Sequence, residues 1–121
     1  MIENKREIIR SDVDEDYACT GIVEAGDFVY ISYCFGNVGQ PIKEQVIGAI
    51  DLLKKRLETK GLNLKSVVKT TCLFKDIMDL PVIKNVFKDK FEGIFPARIA
   101  IQSDFVVDGL LFQLDAIAFK G

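Results

Sequence analysis

The chain is organised around the sequence Phe-Pro-Ala-Arg-Ile-Ala-Ile-Gln at residues 95–102. This stretch starts a strand and places one cation in an otherwise apolar setting. Proline is tolerated in the first residues of a strand but not in its paired middle, so we expect pairing to begin at about Ala97. In an extended chain Arg98, Ala100 and Gln102 share one face, and the two isoleucines share the other. The stretch therefore predicts a strand that presents one guanidinium beside apolar side chains.

Arg98 is the first candidate for a ligand-binding residue. A charge near the start of a mostly buried strand needs an anionic partner, because burying an unpaired charge is costly. Its planar fork suits a carboxylate or a phosphate held through two parallel hydrogen bonds. From the residue type alone, pairing with an acidic side chain or extension of the head group into solvent is the more common arrangement, so both interpretations stay open.

The composition is that of one globular domain spanning residues 1–121. The chain is 49% hydrophobic and 28% charged, with a mean hydropathy of +0.18 and a net charge of −2. This length is sufficient to bury a real core. Because the basic residues form no stripe interleaved with aromatic residues, we do not expect nucleic-acid binding.

Several classes of site are excluded by residue counts. The absence of histidine removes Ser-His and Cys-His nucleophiles and imidazole metal sites. Three widely spaced cysteines, Cys19, Cys34 and Cys72, argue against a disulfide framework and against zinc-type pairs. No apolar run approaches the ~20 residues that cross a bilayer, and residues 1–5 lack the apolar region of a signal peptide. We expect a cytoplasmic protein without a metal or a membrane partner.

Apolar residues recur at every second position in some segments and at every third or fourth position in others, and this pattern predicts the element order β-β-β-α-β-α-β-β. In chain order these are strands 5–10, 20–24 and 28–35, a helix 41–60, a strand 66–75, a helix from Leu80 to Gly93, a strand from Ala97 and a strand 110–119. The acidic stretch Ser11–Tyr17 is predicted to be a solvated loop, since it lacks the spacing of a calcium loop. In the third strand Phe28, Tyr30, Ser32 and Cys34 are predicted to share one face.

The helix ends carry local signals. Pro41 is predicted to be the first residue of the first helix, and Gly61 to supply its left-handed cap. Asp79 is predicted to cap the second helix, which Gly93 ends.

This element order predicts an α+β domain in which two helices stack on one face of a mixed sheet. The other face of the sheet is too apolar to be left in water. We therefore expect two or more subunits to cover it.

Three blocks in the second half of the chain resemble the Rid family of reactive-intermediate deaminases, also called YjgF-like or L-PSP proteins. They are Val68–Asp76, Phe95–Arg98 and Asp115–Ala118, and they occur in the family's order. The resemblance implies a chorismate-mutase-like fold, a homotrimer, and one cleft at each subunit interface.

The resemblance also implies a chemistry. Members of the deaminase branch hydrolyse enamines and imines such as 2-aminoacrylate to 2-keto acids and ammonia, without a cofactor. Arg98 falls on the family arginine that holds the substrate carboxylate. Tyr17 falls on the tyrosine that lines the same cleft, although the Gly-Pro that usually precedes it is Glu15-Asp16 here.

Three departures from the family pattern concern this cleft. Tyr33 stands where the family has glycine within Ser-Gly-Gln, so we expect it to narrow the pocket; Cys34 replaces the glutamine. Ala100 takes a cleft position at which the family often has cysteine. Gln113 replaces the first glutamate of Glu-x-Glu in the last strand, the residue that helps to position or activate the hydrolytic water.

A glutamine can orient water through a hydrogen bond but cannot accept a proton at neutral pH. The sequence therefore predicts a small-carboxylate site with an impaired or altered deaminase activity. A non-catalytic metabolite-binding or regulatory protein is the alternative, and the endoribonuclease or translation-inhibitor label of some members is a third. Compensation by Asp115, two residues along on the same strand face, is the less favoured alternative, because its reach differs from that of the family glutamate. Cys34 is interpreted as a small packed side chain rather than a reactive thiol.

Overall fold

A computed structural model describes residues 7–121 as one mixed six-stranded sheet with two helices. The predicted element order is confirmed, and so is the α+β class. Lys5 and Arg6, in the predicted first strand, lie outside the described residues. The elements are β1 (Ile8–Asp14), β2 (Cys19–Ala25), β3 (Phe28–Cys34), α1 (Ile42–Glu58), β4 (Val67–Phe74), α2 (Leu80–Phe91), β5 (Ala97–Gln102) and β6 (Phe112–Phe119).

The strand order across the sheet is β1-β2-β3-β6-β4-β5. All neighbouring strands are antiparallel except β4 and β5, which are parallel because α2 forms the crossover between them. The strands β1 and β5 are therefore the two edges. At ~4.8 Å between adjacent strands, these edges lie roughly 24 Å apart.

The core lies between the sheet and one side of the two helices. Periodic apolar positions of α1 and α2 pack against alternate residues of the four central strands, as the 3.6-residue and 2-residue periods predict. Burial of each large side chain contributes about 1.5–3 kcal/mol. The largest buried apolar side chains are Val29, Val46, Ile50, Leu53, Leu57, Phe74, Ile83, Phe91, Phe112 and Leu114.

One buried polar residue, Gln45 on α1, fastens two loops to the core. Its Nε2 donates to the carbonyls of Gln40 at 2.9 Å and Gly109 at 3.1 Å, and its Oε1 accepts from the Leu111 N–H at 2.8 Å. These partly buried bonds satisfy backbone groups of both loops. The apolar pattern of the helix gave no sign of this role.

Helix ends differ from the predictions by one or two residues. Pro41 is the N-cap of α1 rather than its first helical residue, and α1 ends at Glu58 instead of residue 60. Gly61 has a φ of 70°, which is the left-handed conformation predicted for it. Asp79 precedes α2 but its side chain makes no capping bond, because a 3₁₀ turn runs directly into the helix and gives Asp79 helical angles. That turn is capped instead by Asp76, which accepts from the Met78 N–H at 3.0 Å.

Two strand predictions are wrong in detail. The acidic stretch is a strand up to Asp14, since residues 11–14 pair with β2, and only the remaining residues form a turn. In β3 a register shift between Ile31 and Cys34 breaks the alternation. Cys34 consequently lies on the buried face with Val29 and Ile31, not on the face of Tyr30.

The sheet face opposite the helices carries large exposed apolar side chains. Tyr30, Ile99, Ile101 and Phe119 expose 43–49% of their surface. The expectation of a second apolar face is confirmed, while the subunit that would cover it stays a prediction. Within residues 7–121, no helix combines the length and the apolar character needed to cross a membrane.

Candidate active site

Arg98 lies on the edge strand β5, opposite Thr70 of β4. Its guanidinium carbon is 5.6 Å from the centre of the Phe87 ring of α2, so the side chain lies on the helix side of the sheet. Arg98 is exposed, because β5 is an open edge in a single chain and not the mostly buried strand predicted. Over residues 7–121 it has no acidic partner. The exposed side chain agrees with extension of the head group toward solvent, and the guanidinium is available to an anionic ligand.

The guanidinium borders a cavity of about 310 Å³ between α2 and the start of β5. Its walls combine three cations with apolar surface, and no acidic side chain of the same chain lines it. Such a site attracts a carboxylate while the ring and the proline exclude water from one side. The lining residues are Lys84, Phe87, Lys88, Phe95, Pro96 and Arg98.

The face predicted for Arg98, Ala100 and Gln102 is confirmed by their contacts. Ala100 packs against the core, and Gln102 Oε1 accepts from the Ile77 N–H at 2.9 Å, just before α2. Ala100 therefore follows Arg98 along the same side of β5. A methyl group there offers no hydrogen bond to a ligand held by the guanidinium.

The two tyrosines predicted for the cleft lie elsewhere in the chain. Tyr17 is in the turn between β1 and β2 and is 74% exposed, with its N–H donating to Asp14 Oδ1 at 3.3 Å. Tyr33 is on β3, and its hydroxyl is 3.4 Å from the sulfur of Cys19. That hydrogen bond, followed by burial, raises the pKa of the Tyr33 phenol. Tyr33 is therefore neutral at physiological pH.

Tyr33 and Cys19 border a second cavity, of about 340 Å³, at the β1 side of the sheet. Its lining is acidic, in contrast to the cavity at Arg98. The lining residues are Asp12, Val13, Asp14, Glu15, Asp16, Cys19, Gly21, Tyr33 and Arg56.

Arg56 organises this second cavity, although its place near the end of α1 indicated only an interaction with the helix dipole. Its Nε donates to Asp12 Oδ2 at 3.0 Å, and its Nη1 donates to the carbonyls of Tyr33 at 3.0 Å and Ser32 at 3.3 Å. These bonds hold the irregular part of β3 against the helix. A Cβ atom at Gly21 would come within 2.8 Å of Asp12 Oδ2 and 2.9 Å of Arg56 Nη2, so a side chain there would displace this ion pair.

Gln113 lies on the open face of β6, opposite Leu73 of β4, and is half-buried. Cys34 of β3 pairs with Leu114 of β6. Tyr33 directly precedes Cys34 and Gln113 directly precedes Leu114, so both residues lie next to this pair. Asp115, on the same face as Gln113, accepts a hydrogen bond from the Thr71 N–H at 3.3 Å. The carboxylate closest in sequence to Gln113 is thus engaged with the backbone.

The two buried thiols are not poised to react. Burial raises the pKa of Cys34 to about 11, and burial raises the pKa of Cys72 to about 12. Both are fully protonated at neutral pH, so neither is a nucleophile there. The structure supports the interpretation of Cys34 as a packed side chain.

Within one chain the predicted site residues do not converge. Tyr17 and Tyr33 lie toward the β1 edge, whereas Arg98 and Ala100 lie on the β5 edge, and Gln113 is on the opposite face of the sheet from Arg98. A cleft that contains all of them requires two copies of the chain. Among residues 7–121 no group of three or more acidic or cysteine side chains could hold a metal ion.

Comparisons with known proteins agree with this fold. Residues 14–120 match the sequence model of the endoribonuclease L-PSP family. The mouse 2-iminobutanoate/2-iminopropanoate deaminase is 33% identical over 109 residues, which cover 82% of this chain and 78% of the relative. A Streptococcus pyogenes structure, described as a hypothetical protein of the yjgF family, is 48% identical with a TM-score of 0.91, covering 93% of this chain and 95% of that one.

A RutC family protein of Pyrococcus abyssi is 35% identical over 79 residues. That alignment covers 65% of this chain and 62% of the archaeal relative, so the match spans less than two thirds of that relative's length.

Proposed function

The chain belongs to the endoribonuclease L-PSP family, and from this membership we propose that it hydrolyses reactive enamines and imines of the 2-aminoacrylate type to 2-keto acids and ammonia. The activity in the name of the mouse relative supports the reaction class. The observation that carries the proposal for this chain is the guanidinium of Arg98, which borders a cavity and has no acidic partner among residues 7–121. Small 2-imino acids bring the carboxylate that this guanidinium lacks.

The proposed hydrolysis needs few catalytic groups from the protein. The enamine tautomerises to the imine, water adds to the imine carbon to give a carbinolamine, and the carbinolamine expels ammonia to leave the 2-keto acid. Arg98 holds the carboxylate next to that carbon through charge-assisted hydrogen bonds. Gln113 orients the attacking water by hydrogen bonding but does not remove its proton, so rate acceleration rests on positioning.

The cleft in this proposal forms between two subunits of a homotrimer. One subunit supplies Arg98 and Ala100 from its β5 edge, and the next supplies Tyr17, Tyr33 and Gln113. Two features support assembly: Tyr17 lies near the β1 edge of the sheet whereas Arg98 lies on the β5 edge, and the open sheet face is apolar. In this cleft the Tyr33 ring occupies space above the ligand and favours small substrates.

The direct test is a coupled assay in which a pyridoxal-phosphate enzyme generates 2-aminoacrylate and the appearance of pyruvate is followed. We expect the wild-type protein to accelerate pyruvate formation and Arg98→Ala to abolish the acceleration. Lys54→Ala, which removes an exposed cation of α1 far from the cavity, is the matched control and should match wild type. Equal rates with and without the wild-type protein would refute the deaminase assignment.

A non-catalytic carboxylate-binding protein is the second candidate, and the substitution of Gln113 for the family glutamate favours it. The two functions separate in one pair of measurements. Binding of a 2-keto acid that depends on Arg98, together with no turnover of 2-aminoacrylate, would select the binding function.

A further inference from the structure

The two edges of the sheet that would meet in the proposed assembly carry opposite charge. At one edge, Glu15 and Asp16 lie in the turn between β1 and β2, directly before Tyr17. At the other, Lys84 and Lys88 are one helical turn apart on α2 and border the cavity of Arg98.

Over residues 7–121, neither carboxylate of the turn and neither lysine of α2 takes part in a hydrogen bond or an ion pair. Some other surface charges are paired, such as Lys60 with Glu24 at 3.7 Å. Asp14 differs from its neighbours because its Oδ1 accepts from the N–H groups of Asp16 and Tyr17 and so shapes the turn.

We propose that Glu15 and Asp16 of one subunit pair with Lys84 and Lys88 of the next subunit, and that this contact sets the register in which Tyr17 comes beside Arg98. The inference rests on the proposed assembly and names the charges that align it. A contact between two different surfaces repeats around a ring, so each subunit uses its acidic turn once and its basic edge once.

The pairing has a consequence for the ligand. Two carboxylates neutralise the two lysines, which leaves the guanidinium of Arg98 as the uncompensated cation in the cleft. A ligand with one carboxylate then balances the charge, whereas a second anionic group would find no further uncompensated cation in the cleft. The cleft therefore selects monocarboxylates over dicarboxylates of similar size.

Charge reversal tests the contact. We expect Lys84→Glu/Lys88→Glu and Glu15→Lys/Asp16→Lys each to raise the subunit dissociation constant at least about tenfold, because each places like charges opposite one another. The quadruple variant that combines all four reversals should restore assembly. Lys54→Glu/Lys55→Glu on the exposed side of α1 has the same change in net charge as the first variant and should assemble like wild type. Sedimentation velocity at low salt measures all five proteins, and circular dichroism verifies that each is folded.

Three results would overturn the inference. They are wild-type assembly of Lys84→Glu/Lys88→Glu, failure of the folded quadruple variant to reassemble, and equal weakening in the Lys54→Glu/Lys55→Glu control. If the charge-reversed proteins assemble normally and still hydrolyse 2-aminoacrylate, only the contact is wrong and the proposed function stands. If wild type assembles and responds to charge reversal but does not turn over 2-aminoacrylate, the contact stands and the deaminase proposal is wrong.

Discussion

Arg98 is the residue on which the proposed chemistry depends, since its guanidinium borders a cavity, lies over the Phe87 ring and has no acidic partner in the part of the chain that the structure describes. We predict that Arg98→Ala weakens binding of pyruvate or a similar small 2-keto acid by roughly 1.5–3 kcal/mol, the range for a charge-assisted hydrogen bond. Arg98→Lys should rescue part of this loss, because a point charge replaces a fork. Calorimetry measures the effect, with Lys54→Ala as the control; equal affinity for wild type and Arg98→Ala would place the ligand elsewhere.

Gln113 has an amide nitrogen where the family glutamate has a carboxylate oxygen, and this difference distinguishes a deaminase from a non-catalytic carboxylate-binding protein. We predict that Gln113→Glu raises kcat on 2-aminoacrylate and leaves carboxylate affinity nearly unchanged, because the change acts on water and not on the Arg98 contact. Tyr33→Gly with Gln113→Glu must be measured alongside, since a cleft narrowed by Tyr33 would hide the gain. If neither variant exceeds wild type while both bind the carboxylate, water activation is not what the cleft lacks.

The buried thiols predict an alkaline loss of stability. Burial raises the folded-state pKa of Cys34 from 9.0 to about 11, and that of Cys72 to about 12, so above pH 9 the unfolded chain ionises thiols that the folded chain keeps protonated. Unfolding then releases protons, and the free energy of unfolding falls as pH rises from about 9 toward 11, by about 1–2 kcal/mol per thiol.

Urea unfolding at pH 8 and pH 10.5 tests this prediction. We expect the loss between the two pH values to be smaller in Cys34→Ala/Cys72→Ala than in wild type. Identical losses in the two proteins would contradict the prediction.

Helix α1 binds two loops through the buried side chain of Gln45. One loop contains Gln40, and the other contains Gly109 and Leu111. We predict that Gln45→Leu lowers the free energy of unfolding by about 2–4 kcal/mol, because the N–H of Leu111 and two carbonyls lose their buried partner. Gln40→Leu, the same change at an exposed side chain, should cost less than about 0.5 kcal/mol. Denaturant unfolding compares the two, and an equal cost would show that the hydrogen bonds of Gln45 are replaceable.

Periodicity predicted the two helices that stack on one face of the sheet, because the helical spacing of apolar residues depends only on local geometry. Alternation misplaced Cys34, since the register shift in β3 depends on how β6 pairs with it. The sequence pattern also did not predict the roles of Gln45 and Arg56. Each side chain bonds to backbone groups that come close only when distant loops or strands have folded. The family resemblance, not the local pattern, identified Tyr17, Tyr33 and Gln113 as candidates.

For the whole molecule, the decisive feature is the strand order, which separates Tyr17 from Arg98 by the width of the sheet. No local pattern in the sequence specifies which strands become edges. The family resemblance implied a cleft between subunits, and the strand order supplies a physical reason for it. We predict a homotrimer, with light scattering at micromolar concentration giving three times the 13.6 kDa chain mass. A stable monomer mass would contradict both the assembly and the composite cleft.

Subunit mixing tests the central claim, that catalysis occurs in a cleft built from the β5 edge of one chain and the β1–β2 turn of another. Arg98→Ala and Tyr17→Ala should each lose most deaminase activity alone, and reassembly of an equimolar mixture should restore about a quarter of wild-type activity, because random assortment completes one site in four. A mixture that stays as inactive as its parents, although mass spectrometry shows mixed oligomers, would contradict the account.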